Sequence, residues 1–229
     1  MNKTPEAIFE LARQPSTIHK VLSVLSALEP DESSVGISVF YEGLQAQQHV
    51  DTLTVLCACS RLIAPSAYLE IGVRRGRSMA IVASESHHAD LYGFDMWIEG
   101  YGGMPNPGPE FVESEIRKIG ANRIELMTGN SHQTVPAFFA EHPGKQFDLI
   151  LVDGDHSAEG AREDLLSVLS RVAPGGAIVF DDIVHPMHHY LEDVWCEVMQ
   201  DRGFLSATYT STGYGVAIAL SGSEPFSTL

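Results

Sequence analysis

The chain has 229 residues, 44% of them hydrophobic, and a formal net charge of −16. That length suits one domain with an added segment rather than two full domains, and the apolar content is enough for a sizeable core. So acidic a chain repels phosphate backbones, which argues against a nucleic-acid substrate, and no apolar run approaches the roughly 20 residues that span a membrane.

The N-terminus, Met1-Asn2-Lys3-Thr4-Pro5-Glu6, lacks the continuous apolar core of a signal peptide. Cys57, Cys59 and Cys196 form no zinc-type cluster and leave one thiol over from any pairing. They read as buried, reduced thiols of a cytoplasmic enzyme.

Residues 4–28 carry helical periodicity through Ile8, Leu11, Val21, Leu22, Leu25 and Leu28, and Pro15 is expected to divide them into two helices. Residues 29–40 read as a loop, and 42–64 as a further helix with Leu44, Val50, Leu53, Leu56 and Leu62 on its buried face. The pattern then changes to short apolar runs alternating with helical segments. Strands are expected at 67–73, 90–95, 123–128, 147–153 and 176–181, with helices at 78–86, 110–119, 134–141, 158–172 and 190–202. Continuous apolar strands separated by helices indicate a parallel sheet covered on both faces. Only Ser211, Thr212 and Gly213 separate the last two strands, 204–210 and 214–220, so these form an antiparallel hairpin. The expectation is a three-layer α/β sandwich: a seven-stranded, mostly parallel sheet with a C-terminal hairpin, preceded by N-terminal helices over 1–65 that cover substrate or join a homo-oligomer. The segment 96–109, with four glycines and three prolines, is irregular and reads as a lid that could present Trp97 and Tyr101 to a ring.

The first strand ends in Glu70-Ile71-Gly72-Val73-Arg74-Arg75-Gly76-Arg77-Ser78, and a helix follows. Ligands of open α/β sheets bind beyond the carboxyl ends of the strands. Gly72 permits the sharp turn, Gly76 a close approach at the helix start, and the free N–H groups there suit a polar or anionic group. The dinucleotide fingerprint needs glycine where Arg74 stands, which argues against NAD. Asp95 ends the second strand twenty-three residues after Gly72, where a carboxylate can accept both hydroxyls of a ribose.

Glu-x-Gly-x-x-x-Gly followed by an acidic strand end resembles the class I S-adenosylmethionine-dependent methyltransferases over about residues 66–220. The resemblance implies a Rossmann-like fold, with residues 66–229 as the S-adenosylmethionine-binding domain. It further implies that Gly72 and Gly76 flank the methionine part of the cofactor, with Glu70, Ser78 and Asp153 beside it. Asn130 and Ser131, after the third strand, would meet adenine, although an ordinary helix cap explains them equally well.

The fourth strand ends in Asp153-Gly154-Asp155-His156 and the fifth in Asp181-Asp182. Adjacent strands would bring these carboxylates together, raising one another's pKa, and a hard divalent cation such as magnesium relieves that conflict. A cation so held can lower a hydroxyl's pKa and hold it in line with a methyl group. The arrangement resembles the metal-dependent O-methyltransferases of catechol, caffeoyl-CoA and natural-product sugar type. That likeness places Asp153, Asp181 and Asp182 at the metal and His156 at the general base, with a small-molecule hydroxyl as acceptor, on a sugar or a catechol. Asp155 is a rival ligand or base, and His185, His188 and His189 could extend the site. Alternatives are a metal-independent methyltransferase, an NAD-dependent oxidoreductase and a non-catalytic cofactor-binding subunit.

Overall fold

The computed structural model describes residues 3–31, 35–36, 38–39, 49–100 and 105–222. Helices α1 (Pro5–Ala12) and α2 (Pro15–Ala27) each begin with a proline in the first turn, where the missing N–H costs nothing. Thr4 caps α1 through a hydrogen bond from the Ala7 amide. Helix α3 (Thr52–Ile63) opens with a capping box in which Asp51 and Thr54 exchange side-chain and backbone hydrogen bonds. Leu44 and the first part of the expected helix 42–64 lie outside the described residues. Val35, Gly36, Ser38 and Val39 are helical where a loop was expected.

The remaining elements follow in alternation: β1 (Ala67–Ile71), α4 (Arg77–Glu85), β2 (Asp90–Asp95), α5 (Pro109–Ile119), β3 (Ile124–Thr128), α6 (Ser131–Glu141), β4 (Phe147–Val152), α7 (Ala158–Leu169), β5 (Val172–Asp181), α8 (Leu191–Met199), β6 (Leu205–Tyr209) and β7 (Val216–Leu220). The seven strands form one sheet in the order β3-β2-β1-β4-β5-β7-β6. The first five are parallel, and β7 runs antiparallel to both β5 and β6. The expected mixed sheet with its terminal hairpin is therefore present. The strand order reverses between β1 and β4, and it is at such a switch point that open α/β sheets bind ligands.

Strand alternation sorts the core into two clusters. Tyr68, Leu149, Leu151, Val179 and Ile218 face α1 to α5, whereas Leu69, Ile71, Phe94, Phe147, Ile150 and Phe180 face α6, α7 and α8. Burying each such side chain fully contributes roughly 1.5–3 kcal/mol. The three N-terminal helices bury Ile8, Val21, Val55 and Leu56 in the same cluster as the sheet residues. They form part of one helical layer.

Two boundaries differ from the sequence expectation for identifiable reasons. Helix α7 stops at Leu169, and β5 begins at Val172 despite Pro174, Gly175 and Gly176, because Phe147 pairs with Val172 across a register shift that absorbs the turn residues. Helix α6 starts at Ser131 rather than Thr134, capped by Asn130. Cys57 and Cys59 are buried as expected, but Cys196 is exposed, a correction that follows from its place on the outer face of α8. No helix among the described residues is long and apolar enough to cross a membrane.

Candidate active site

The glycine loop closes against the ends of three strands. The Gly72 amide donates to the Phe94 carbonyl (2.9 Å) and the Asp153 amide to the Ile71 carbonyl (2.9 Å). Gly72 has φ +90°, and a Cβ there would lie 1.9 Å from the Asp153 carbonyl oxygen, so glycine is required both by the backbone angle and by the close approach. Gly76 has φ +73°, and a Cβ there would lie 2.8 Å from the Val112 side chain on α5.

Asp95 organises the loop from the neighbouring strand. Its Oδ2 accepts from the Arg74 amide (2.7 Å) and its Oδ1 from the Trp97 amide (2.6 Å). Asn106, buried in the segment read as a lid, places its Nδ2 3.4 Å from the same Oδ1. One carboxylate thus ties the glycine loop to the segment after β2, and it keeps lone pairs that can accept further hydrogen bonds. Trp97 Nε1 donates to Thr128 Oγ1 (3.0 Å), so the indole is held against the end of β3; Tyr101 lies outside the described residues.

Glu70 is fully buried beneath the loop, where its carboxylate accepts hydrogen bonds from Tyr68 Oη and Ser78 Oγ. Burial pushes its pKa up to about 8, against the pull of those two donors. Its relation to any ligand therefore runs through Ser78 at the start of α4. Asn130 uses its side chain to cap α6, accepting from the His132 amide (2.9 Å), and Ser131 hydrogen-bonds Asp164.

The pairing of β4 with β5 brings the two acidic strand ends side by side. His156 Nε2 lies 3.3 Å from Asp153 Oδ1 and 3.9 Å from Asp182 Oδ2, with its ring one-fifth exposed. Burial alone would lower the imidazole's pKa. The close approach of the Asp153 carboxylate, and then the charges of Asp182 and Asp181, prevail and push it up to about 9. Burial, then the charges of Asp153 and Asp182, hold the Asp181 carboxyl well above the usual carboxylate range, and burial with Asp153 pushes Asp182 up to about 6. Asp182 adopts φ +57°, a left-handed angle that turns the chain sharply after β5. Thr52, the first residue of α3, donates to Asp181 Oδ1. Asp155 is exposed and accepts from the Ser157 amide (2.7 Å), which fixes the turn into α7.

The sequence left the histidines after β5 open. The His156 and His188 rings stack at 5.2 Å between centroids, His188 and His185 at 5.0 Å, and Tyr214 meets His185 edge-on at 4.3 Å. Tyr190 Oη donates to the His156 carbonyl (2.8 Å), and His189 is turned toward Tyr190 instead. The bare cluster of histidines was visible in the sequence, but their alignment with His156 depends on the turn at Asp182. Among the described residues, no three His, Cys, Asp or Glu side chains converge as a ready-made metal cage.

The loop, Asp95 and both acidic strand ends lie inside one stretch, residues 69–183, that matches a family profile described as a methyltransferase domain. The chain belongs to that family. As a methyltransferase it is similar in structure to CalS11, described as a calicheamicin methyltransferase and a TDP-rhamnose 3'-O-methyltransferase (TM-score 0.61, 16% identity, 96% of this chain and 94% of that one). It is also similar to the O-methyltransferase TomG of Streptomyces achromogenes, involved in tomaymycin synthesis and solved with S-adenosylmethionine (TM-score 0.61, 19% identity, 93% and 99% covered). The Bacillus cereus O-methyltransferase solved with S-adenosylhomocysteine is a third (TM-score 0.58, 16% identity, 91% and 91% covered). At these identities the likeness is one of fold. No curated protein sequence matches the chain significantly.

Proposed function

We propose that this methyltransferase uses S-adenosylmethionine to methylate a hydroxyl of a small molecule in the cytoplasm, with a divalent cation at Asp153, Asp181 and Asp182 and His156 as general base. The observation that carries the reading is the juxtaposition of the Gly72–Gly76 loop with the acidic ends of β4 and β5, since Gly72 packs directly on Asp153. Acceptors of the structural neighbours include a sugar hydroxyl, which favours a sugar of a secondary metabolite for this chain.

The donor set fits a hard cation in charge and atom type. Burial first, and then the charge of Asp153, hold Asp181 and Asp182 above the usual carboxylate pKa, so added positive charge at these strand ends is favoured, although the three side chains do not converge as a finished cage among the described residues. When bound, the cation supplies charge that acidifies a hydroxyl and holds it for transfer. S-adenosylmethionine supplies the methyl group from its sulfonium. The protein's own part is positional: the glycine loop and Asp95 orient the cofactor, the carboxylates hold the acceptor oxygen near it, and His156 Nε2 takes the hydroxyl proton.

A second reading needs no cation. His156 lies between Asp153 and Asp182, and its neutral ring, populated as pH rises toward about 9, can itself serve as base.

The test is calorimetric titration of S-adenosylmethionine into chelator-treated protein, with NAD as control, followed by an acceptor screen with and without magnesium. Saturable binding of S-adenosylmethionine alone supports the reading; binding of NAD in its place refutes it.

A further inference from the structure

The strand order divides the carboxyl edge of the sheet into two halves. The glycine loop and Asp95 occupy the ends of β1 and β2. Beyond the switch point, a row of rings runs across the ends of β4 and β5 to the start of β7. His188 stacks on His156 at 5.2 Å between centroids, His185 on His188 at 5.0 Å, and Tyr214 meets His185 edge-on at 4.3 Å. The row therefore starts at the group assigned to the acceptor's proton and leads away from the glycine loop.

Hydrogen bonds join the three segments that carry the row. Tyr190 Oη donates to the His156 carbonyl (2.8 Å) and lies 3.3 Å from His188 Nδ1, and the Val184 amide donates to the Tyr214 carbonyl (2.8 Å). The row is thus held in place, yet its outer end is open. Tyr214 is 53% exposed, and Met187, on the same turn as His185 and His188, is 74% exposed. A tyrosine and a methionine left in water beside a polar site mark a surface that a ligand covers.

The charge of this rim selects the ligand. Residues 183–190 and 210–215 contain no lysine or arginine, and Asp181 and Asp182 stand next to them. The charge of His156 is matched by Asp153 and Asp182. A phosphate or diphosphate would meet like charge here, whereas an uncharged ring gains dispersion and edge-to-face contacts from the imidazoles and Tyr214.

We infer that His185, Met187, His188 and Tyr214 form a second acceptor subsite that takes an uncharged aromatic ring, so that the hydroxyl presented to His156 belongs to an aryl glycoside rather than to a nucleoside-diphosphate sugar. This rests on the acceptor reading above.

The experiment measures binding to the full chain saturated with S-adenosylhomocysteine in magnesium. The probes are paired 4-nitrophenyl and methyl glycosides of a set of hexoses and 6-deoxyhexoses, with uridine-diphosphate and thymidine-diphosphate glucose as charged rivals. Aryl members should bind roughly tenfold or more tighter than their methyl partners, and tighter than either nucleotide sugar. Tyr214→Ala should reduce that preference roughly three- to tenfold, Tyr214→Phe should keep it, and neither should move the affinity for S-adenosylhomocysteine more than about twofold. A wild type without aryl preference overturns the inference, whether the glycosides bind equally or not at all, and this outcome needs no folded variant. A nucleotide sugar that binds tightest also overturns it, as does a Tyr214→Ala chain that keeps the full preference or weakens aryl and methyl glycosides alike. A wild type that does not take up S-adenosylhomocysteine instead brings down the cofactor reading itself.

Discussion

Thr52 donates a hydrogen bond to Asp181, joining the first turn of α3 to the carboxyl end of β5. The N-terminal helices are thereby coupled to the acidic strand ends as well as to the core. Thr52→Val should cost roughly 0.5–1.5 kcal/mol, the usual net worth of an intramolecular hydrogen bond. Urea denaturation checks this, and an unchanged midpoint would mean that the contact contributes nothing.

Gly72→Ala sets a Cβ against the Asp153 carbonyl at a backbone angle that L-residues avoid. We expect about 3 kcal/mol or more of destabilisation and loss of cofactor binding. Thermal melting and calorimetry measure the two separately; a stable variant that still binds would show that the loop can open.

His156→Gln should lower kcat by roughly two to four orders of magnitude, the range for a general base. With its pKa raised from 6.5 to about 9, the folded state favours the imidazolium: the stability this gives is present in full below 6.5 and is lost as pH rises through about 9. In chelator, activity that depends on the neutral ring should therefore rise as pH climbs toward about 9. A cation at the neighbouring carboxylates opposes the proton and should move that rise to lower pH. A pH–rate profile that is the same in chelator and in magnesium would count against metal dependence.

Asp181→Ala distinguishes the two readings of the site. Under the metal-dependent one, kcat/KM falls about a hundredfold or more while S-adenosylmethionine affinity holds. Full activity of this variant in chelator would establish the metal-free mechanism.

Glu70 is buried with its pKa raised from 4.5 to about 8. The folded chain binds that proton more tightly than the unfolded one, so its contribution to stability is present at low pH and falls as pH rises from 4.5 to about 8. Glu70→Gln removes the dependence. Its melting temperature should gain on the wild type across that interval, and a constant difference would mean that Glu70 is ionised throughout.

Much of the sheet could be read from sequence because each of the five parallel strands ends at a glycine or an aspartate. Gly72, Asp95, Asp153 and Asp181 could be placed at strand ends for that reason. What escaped depends on distant partners. Nothing near Glu70 announces that Tyr68 and Ser78 will enclose it, and nothing near His185 and His188 shows that a left-handed Asp182 will stack them on His156. The packing of the helices before residue 66 on the sheet was not visible in sequence, because the face they cover is assembled from strands far along the chain.

That last arrangement bears on how the molecule is made. Helix α3 is buried along consecutive positions from Val55 to Ser60, so no side of it suits water, and part of its cover comes from β4 and β5. Thr52 and Asp181 are 129 residues apart, so at a synthesis rate of roughly 5–20 residues per second the helix emerges on the order of ten seconds before its partner. During that interval the nascent chain exposes an apolar helix with no sheet to receive it.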